Sequence, residues 1–170
     1  MKKLSIIFSV IALFTITSVT VNAQVTATAT ATGTIVTPIA ITNSGDMNFG
    51  NVAVSATGGT VVLDPASTRT VTGGVTLPAV PGTVTAAHFD ITGTADYTYS
   101  ITLPSTATTV TSGTNTMTVD AFTSNPGSTG TLNAVGTQTV DVGATLNVSA
   151  LQAAGTYISG TPFDVTVNYN

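Results

Sequence analysis

The chain has 170 residues but only three Lys or Arg and seven acidic side chains, and it contains no cysteine and no tryptophan. From Gln24 onward the charged side chains are Arg69 and seven aspartates, a formal charge of 1 − 7 = −6, which would repel a phosphate backbone and argues against nucleic-acid binding. Without cysteine there is no disulfide framework. Without lysine beyond Lys3 there are no lysine isopeptide crosslinks, so any polymer of this chain must be held non-covalently.

Residues 1–23 read as a cleaved signal peptide. Lys2 and Lys3 form a positive n-region, Leu4 to about Val19 an apolar h-region, and Val21-Asn22-Ala23 ends in the small residue a signal peptidase requires. The apolar run is short and is interrupted by Ser9, Thr15, Thr17 and Ser18, which disfavours a retained membrane anchor. The expectation is an exported chain of bacterial style, passing through the periplasm to the cell surface or beyond. The remaining 147 residues (170 − 23) suit one domain with a sizeable core.

Residues 24–36 read as an N-terminal extension. In Val25–Ile35 the odd positions Val25, Ala27, Ala29, Ala31, Gly33 and Ile35 are apolar or small, and every even position is threonine. That is the period of a two-faced strand, about 36 Å long at the usual rise per residue. The same composition also suits a flexible Thr/Ala linker, because alanine is a poor strand former and buries little.

Residues 37–170 carry the strand patterns of one domain. Thr37–Thr42 is a short strand opened by proline, and Asn43–Asp46 reads as a turn. In Met47–Val54 the apolar face switches parity at Gly50, as a bulge or bend would require. Gly-Gly pairs bracket strands over Thr60–Asp64 and Thr68–Thr72. Ala87–Thr92 and Tyr97–Leu103 are the clearest core strands, and Met117–Phe122 alternates until Ala121 and Phe122. Ser124–Gly130 is a loop; Thr137–Val142 and Thr145–Val148 read as two strands about a Gly143 turn. Ser149–Ala154 offers one or two helical turns at most. The last segment places Phe163, Val165, Val167 and Tyr169 on one face, opposite Asp164, Thr166 and Asn168. Short strands without helical crossovers indicate an all-β fold, an antiparallel β-sandwich. The alternative of a closed barrel is disfavoured in its membrane form by the absence of aromatic girdles. Threonine, 38 residues by count, supplies solubility in place of charge. A surface so poor in charge and rich in β-branched residues aggregates unless its strand edges are managed, which suggests edges that are meant to be used.

Chemistry is sparse. His88 is the only histidine, with no cysteine or second histidine to join it as a metal ligand and no nucleophile-elbow pattern to suggest hydrolysis. Asp46-Met-Asn48 stops short of a calcium loop, and the spread aspartates look like solvated turn residues. Neither cofactor, metal nor small-molecule ligand is expected, and an enzyme ranks last among the readings.

Thr37-Pro-Ile-Ala-Ile-Thr42, Met47-Asn-Phe-Gly-Asn-Val-Ala-Val-Ser55, Ala153-Ala-Gly-Thr-Tyr157 and Phe163-Asp-Val-Thr-Val-Asn-Tyr169 resemble the exported family called domain of unknown function 4402, over nearly all of the chain beyond the signal. More distantly, Asn48-Phe-Gly50 and the penultimate tyrosine are similar to spore-coat-U-like and other chaperone–usher pilins. That resemblance implies an immunoglobulin-like sandwich that is incomplete and is completed by a donated N-terminal strand. Carried over by position, Val25, Ala27, Ala29, Ala31, Gly33 and Ile35 would be the donor face. Phe163, Val165, Val167 and Tyr169 would line the C-terminal groove strand. It also implies a periplasmic chaperone and an outer-membrane usher as partners in transit. The chain departs from such pilins in its alanine-rich donor face and its lack of the cysteine pair many of them carry. The leading expectation is therefore a structural subunit of a cell-surface filament, assembled head-to-tail by strand donation. The alternative is a self-complete secreted β-sandwich with a matrix or adhesive role.

Overall fold

The computed structural model describes residues 23–170, so the signal-peptide reading lies almost wholly outside the described residues. Residues 23–39 form no helix or strand. The compact β unit is Ile35–Asn170. It is all-β and antiparallel, with no helix among the described residues.

The strands are β1 (Ala40–Gly45), β2 (Ala53–Val54), β3 (Gly59–Leu63), β4 (Arg69–Val71), β5 (Val75–Thr76), β6 (Ala87–Thr92) and β7 (Thr98–Thr102), then β8 (Thr108–Ser112), β9 (Asn115–Asn125), β10 (Thr129–Thr131), β11 (Thr137–Val148), β12 (Ile158–Ser159) and β13 (Thr166–Tyr169). The large sheet runs β1-β6-β11-β9-β8-β12, with β3 and β4 joined to the second half of β11; a smaller sheet is β10-β7-β13, and β2 pairs β5. In an immunoglobulin sandwich the strands A, B, E and D form one sheet and C, F and G the other. Here β1-β6-β11-β9 follow the A-B-E-D order and β7-β13 the C-F order, in the same chain sequence. The G position corresponds to the free side of β13.

Strand β11 organises the interior. Its first half pairs β6 and its second half pairs β3, while β9 lies along the other side. Val140 and Val142 face one core with Phe89, Ile91, Tyr99, Ile101, Leu132 and Val167. Ala144, Leu146 and Val148 face a second with Val61, Val75 and Val119. Tyr99 is fully buried and donates its hydroxyl hydrogen to Gln138 Oε1 at 2.7 Å. Among the described residues, no buried side-chain N or O lacks a partner.

Several expectations need correction. Thr137–Val148 is one twelve-residue strand rather than two about a Gly143 turn. Gly143 is buried where β3 ends, and a Cβ there would meet the backbone of Leu63, Asp64 and Pro65, so glycine permits close approach instead of reversal. Asn43–Gly45 continues β1 with a register shift where a turn was expected. Ser149–Ala154 makes only a turn at Ala150–Leu151.

The parity breaks in the sequence do mark backbone irregularities. Gly50 has φ +66°, and the sole cation of the β unit, Arg69, donates from one guanidinium nitrogen to the carbonyls of Phe49 and Asn51 on either side of it. Ala121 has φ 47° where β9 places Ala121 and Phe122 opposite a single residue of β11 between Gly143 and Thr145. This is a β-bulge, and it turns Phe122 toward the core after Val119.

A candidate strand-addition edge

Strand β13 pairs β7 on one side only, in the register Thr166↔Thr102, Val167↔Ile101, Asn168↔Ser100 and Tyr169↔Tyr99. The direction of its backbone groups follows from its neighbours. Ile101 N–H donates to Ser128 and Leu132 N–H to the Tyr97 carbonyl, so the odd residues of β7 face β10. The even residues face β13, as the Asn170 N–H donating to the Thr98 carbonyl at 3.3 Å shows. Thr166 and Asn168 therefore spend their backbone groups on β7. The N–H and C=O of Val167 and Tyr169 point to the free edge, where no described residue pairs with them. An unpaired row of this kind is a template for another strand.

The side chains of these same residues point inward. Val167 is 8% exposed and lies in the core. Tyr169 is half-buried and stacks edge-on against Tyr97, ring centroids 5.5 Å apart. Phe163 and Val165 are half-buried against the same cluster, Phe163 packing on Phe122 at 4.9 Å and Phe89 at 6.4 Å. The inward face read from the sequence is thus present, but only Thr166–Tyr169 is strand. Phe163 and Val165 lie in an irregular lead-in where β7 and β13 diverge, beside an open cleft of about 600 Å³ lined by Leu103, Pro104, Thr108, Thr161 and Pro162.

Tyr169 does one thing the sequence did not reveal. Its hydroxyl donates to the Thr37 carbonyl at 2.8 Å and accepts from the Thr94 N–H at 2.7 Å. Thr94 Oγ1 in turn accepts from the Thr37 N–H at 2.9 Å and donates to its carbonyl at 3.3 Å. Thr37 is held by three hydrogen bonds. Only the penultimate position of Tyr169 hinted at a special role; nothing in the sequence pointed to Thr94.

On the donor side, Val25, Ala27, Ala29, Ala31 and Gly33 are exposed and lie in no strand. A Cβ on Gly33 would meet nothing within 4 Å. Ile35 is 100% exposed and Val25 90%. The extended strand read from the alternation is therefore absent from this single chain; with alanine on its inner face it has little apolar surface to bury.

Elsewhere, His88 Nδ1 lies 2.6 Å from Asp141 Oδ1, a cross-strand pair between β6 and β11 with both side chains partly exposed. This supplies the carboxylate that the sequence could not place beside the histidine. No group of three or more His, Cys, Asp or Glu able to hold a metal occurs among the described residues. Burial alone moves a phenol upward: Tyr99 is raised from its ordinary 10.0.

The family described as "Domain of unknown function (DUF4402)" matches residues 39–169, and the chain belongs to that family. No curated protein and no solved structure matches the chain.

Proposed function

We propose that this DUF4402 member is a structural subunit of an exported, cell-surface filament, joined non-covalently by strand addition at the open edge of β13. The supporting observation is that edge: Val167 and Tyr169 keep their side chains in the core and leave their backbone groups unpaired. A strand added there satisfies those groups through main-chain hydrogen bonds. The segment Val25–Ile35 of a second copy has the matching period and no charge. Donation from each copy to the next is head-to-tail, and such contacts build fibres when the rotation does not close. A chaperone and an usher would serve such a subunit in transit, by shielding the edge until the next copy arrives. No reaction is assigned to the protein in this reading, nor any nucleic acid or small ligand.

A second reading is a self-complete secreted module with a matrix or adhesive role. It is favoured by a core that is already closed, with Ile91, Tyr99 and Val140 at 0% exposure. Gel electrophoresis of the protein from its native surface, with and without boiling, separates the two. Strand addition is expected to give a ladder of multimers that collapses to monomer on boiling, and to lose the ladder when residues 24–33 are deleted. A single monomer band in both lanes would favour the module.

A further inference from the structure

We infer that Ile35 is the anchor side chain by which one subunit grips the next, presented by the hydrogen bonds that hold Thr37 to Tyr169 and Thr94. The inference rests on the strand-addition reading and names the residue that carries its affinity. The occupant it commits to is a second copy of this chain.

The argument begins with charge. Every copy carries the same excess of aspartate, so a contact that sets aspartates of two copies against each other is disfavoured. Neither Val25–Ile35 nor Thr166–Tyr169 contains an Asp, Glu, Lys, Arg or His. Neither stretch adds a like charge to a contact between the segment and the β13 edge.

Size comes next. Within the odd-numbered face only Val25 and Ile35 exceed alanine, and alanine and glycine contribute backbone pairing with little apolar burial. Hot spots in an interface are the few large side chains that become fully desolvated. Ile35 is the larger of the two and 100% exposed, so all of its surface is available to a partner and none of it supports the fold of its own chain.

Position decides between the two ends. Ile35 is two residues from Thr37, at most about 7 Å of chain. The N–H and carbonyl of Thr37 are both held by hydrogen bonds to Thr94 and Tyr169. A side chain this close to a fixed point loses little further freedom on binding. Val25 lies ten residues farther out, and each must be ordered before its contact counts. The same shortness makes the junction linkerless: the acceptor edge of the next copy must lie against the Thr37 end of the donor.

Sedimentation velocity over a concentration series of residues 24–170 tests this, comparing wild type with Ile35→Ala, Val135→Ala and Tyr169→Phe. Val135 is a control, 80% exposed in the turn between β10 and β11. Ile35→Ala is expected to weaken self-association at least about tenfold with no change in the melting temperature of the monomer at low concentration, and Val135→Ala to leave association unchanged. Tyr169→Phe keeps the ring and removes the hydroxyl. It should lose amide-exchange protection at Thr94 and weaken association less than Ile35→Ala. Association in Ile35→Ala equal to wild type would overturn the anchor and leave strand addition standing. Equal losses in Ile35→Ala and Val135→Ala would overturn it in favour of general surface adhesion. Wild type that stays monomeric at every concentration would remove strand addition and the anchor together. Unchanged association in Tyr169→Phe, with Thr94 protection lost, would remove the presenting role of the hydroxyl.

Discussion

Strand β11 and the segment Val25–Ile35 both alternate with period two, and only one of them is a strand in the single chain. In β11 the inward positions are Val140, Val142, Ala144, Leu146 and Val148, all at most 7% exposed, with a partner strand on both sides. In Val25–Ile35 the corresponding face is Val, three Ala, Gly and Ile, and it lies exposed. Alternation sets where side chains would point; the volume on the inner face decides whether pointing there is worth the entropy. Burying a valine or leucine contributes about 1.5–3 kcal/mol, against about 1–2 kcal/mol to fix one residue's backbone. An alanine face cannot meet that cost alone and needs an edge already built to receive it.

The sharpest break in this comparison is a matched pair of charges. Val140→Asp puts an unpaired carboxylate at a position with 0% exposure and is expected to cost about 3–5 kcal/mol, enough to abolish cooperative unfolding in a marginal domain. Ala29→Asp adds the same group to the exposed segment and should leave the melting temperature of the monomer unchanged. A matching fall in both, measured by calorimetry, would mean that the segment is already packed within its own chain.

A smaller effect is expected at Gly143. The Cβ of Gly143→Ala would lie 2.7 Å from the Asp64 carbonyl carbon and 2.9 Å from the Pro65 nitrogen. These are backbone atoms, so the junction of β3 and β11 must shift, at about 1–3 kcal/mol. Denaturant unfolding should show a lower midpoint with an unchanged slope. Wild-type stability in this variant would show that β11 has slack at its middle.

The core strands β6 and β7 were legible because Phe89, Ile91, Tyr99 and Ile101 are large and strictly alternating. Gly50 and Ala121 were legible as parity breaks, since a residue out of phase must be absorbed by a bend or bulge. Gly143 was misread because a glycine in a strand marks close approach as readily as reversal, and local sequence does not say which backbone comes near. For the candidate edge, the inward face of Phe163–Tyr169 was visible, but its length was not. The pairing of β7 and β13 stops at Thr102↔Thr166, with Pro104 and Pro162 just beyond it and far apart in sequence. The Thr37–Thr94–Tyr169 cluster spans 132 residues between its ends, and threonine is too common here for any one to stand out.

The smallest effect separates an ordered turn of the domain from the segment outside it. Between β3 and β4, Asp64 accepts hydrogen bonds from the Thr68 hydroxyl and from the Thr68 N–H, the latter at 2.8 Å. These hold its carboxyl below the ordinary 3.8, the hydroxyl contributing most. A carboxylate whose folded pKa is depressed stabilises the fold above its unfolded value and loses that contribution as pH falls through the folded one. Asp64→Asn should therefore lower the melting temperature slightly near neutral pH. The gap to wild type should narrow only as pH drops below 3.8, since there wild type loses its carboxylate as well. A gap that persists undiminished in strong acid would show that the turn is held by the shape of Asp64 and not by its charge. In that case β3 and β4 would be set by the same rule as β11, through packing and backbone pairing alone.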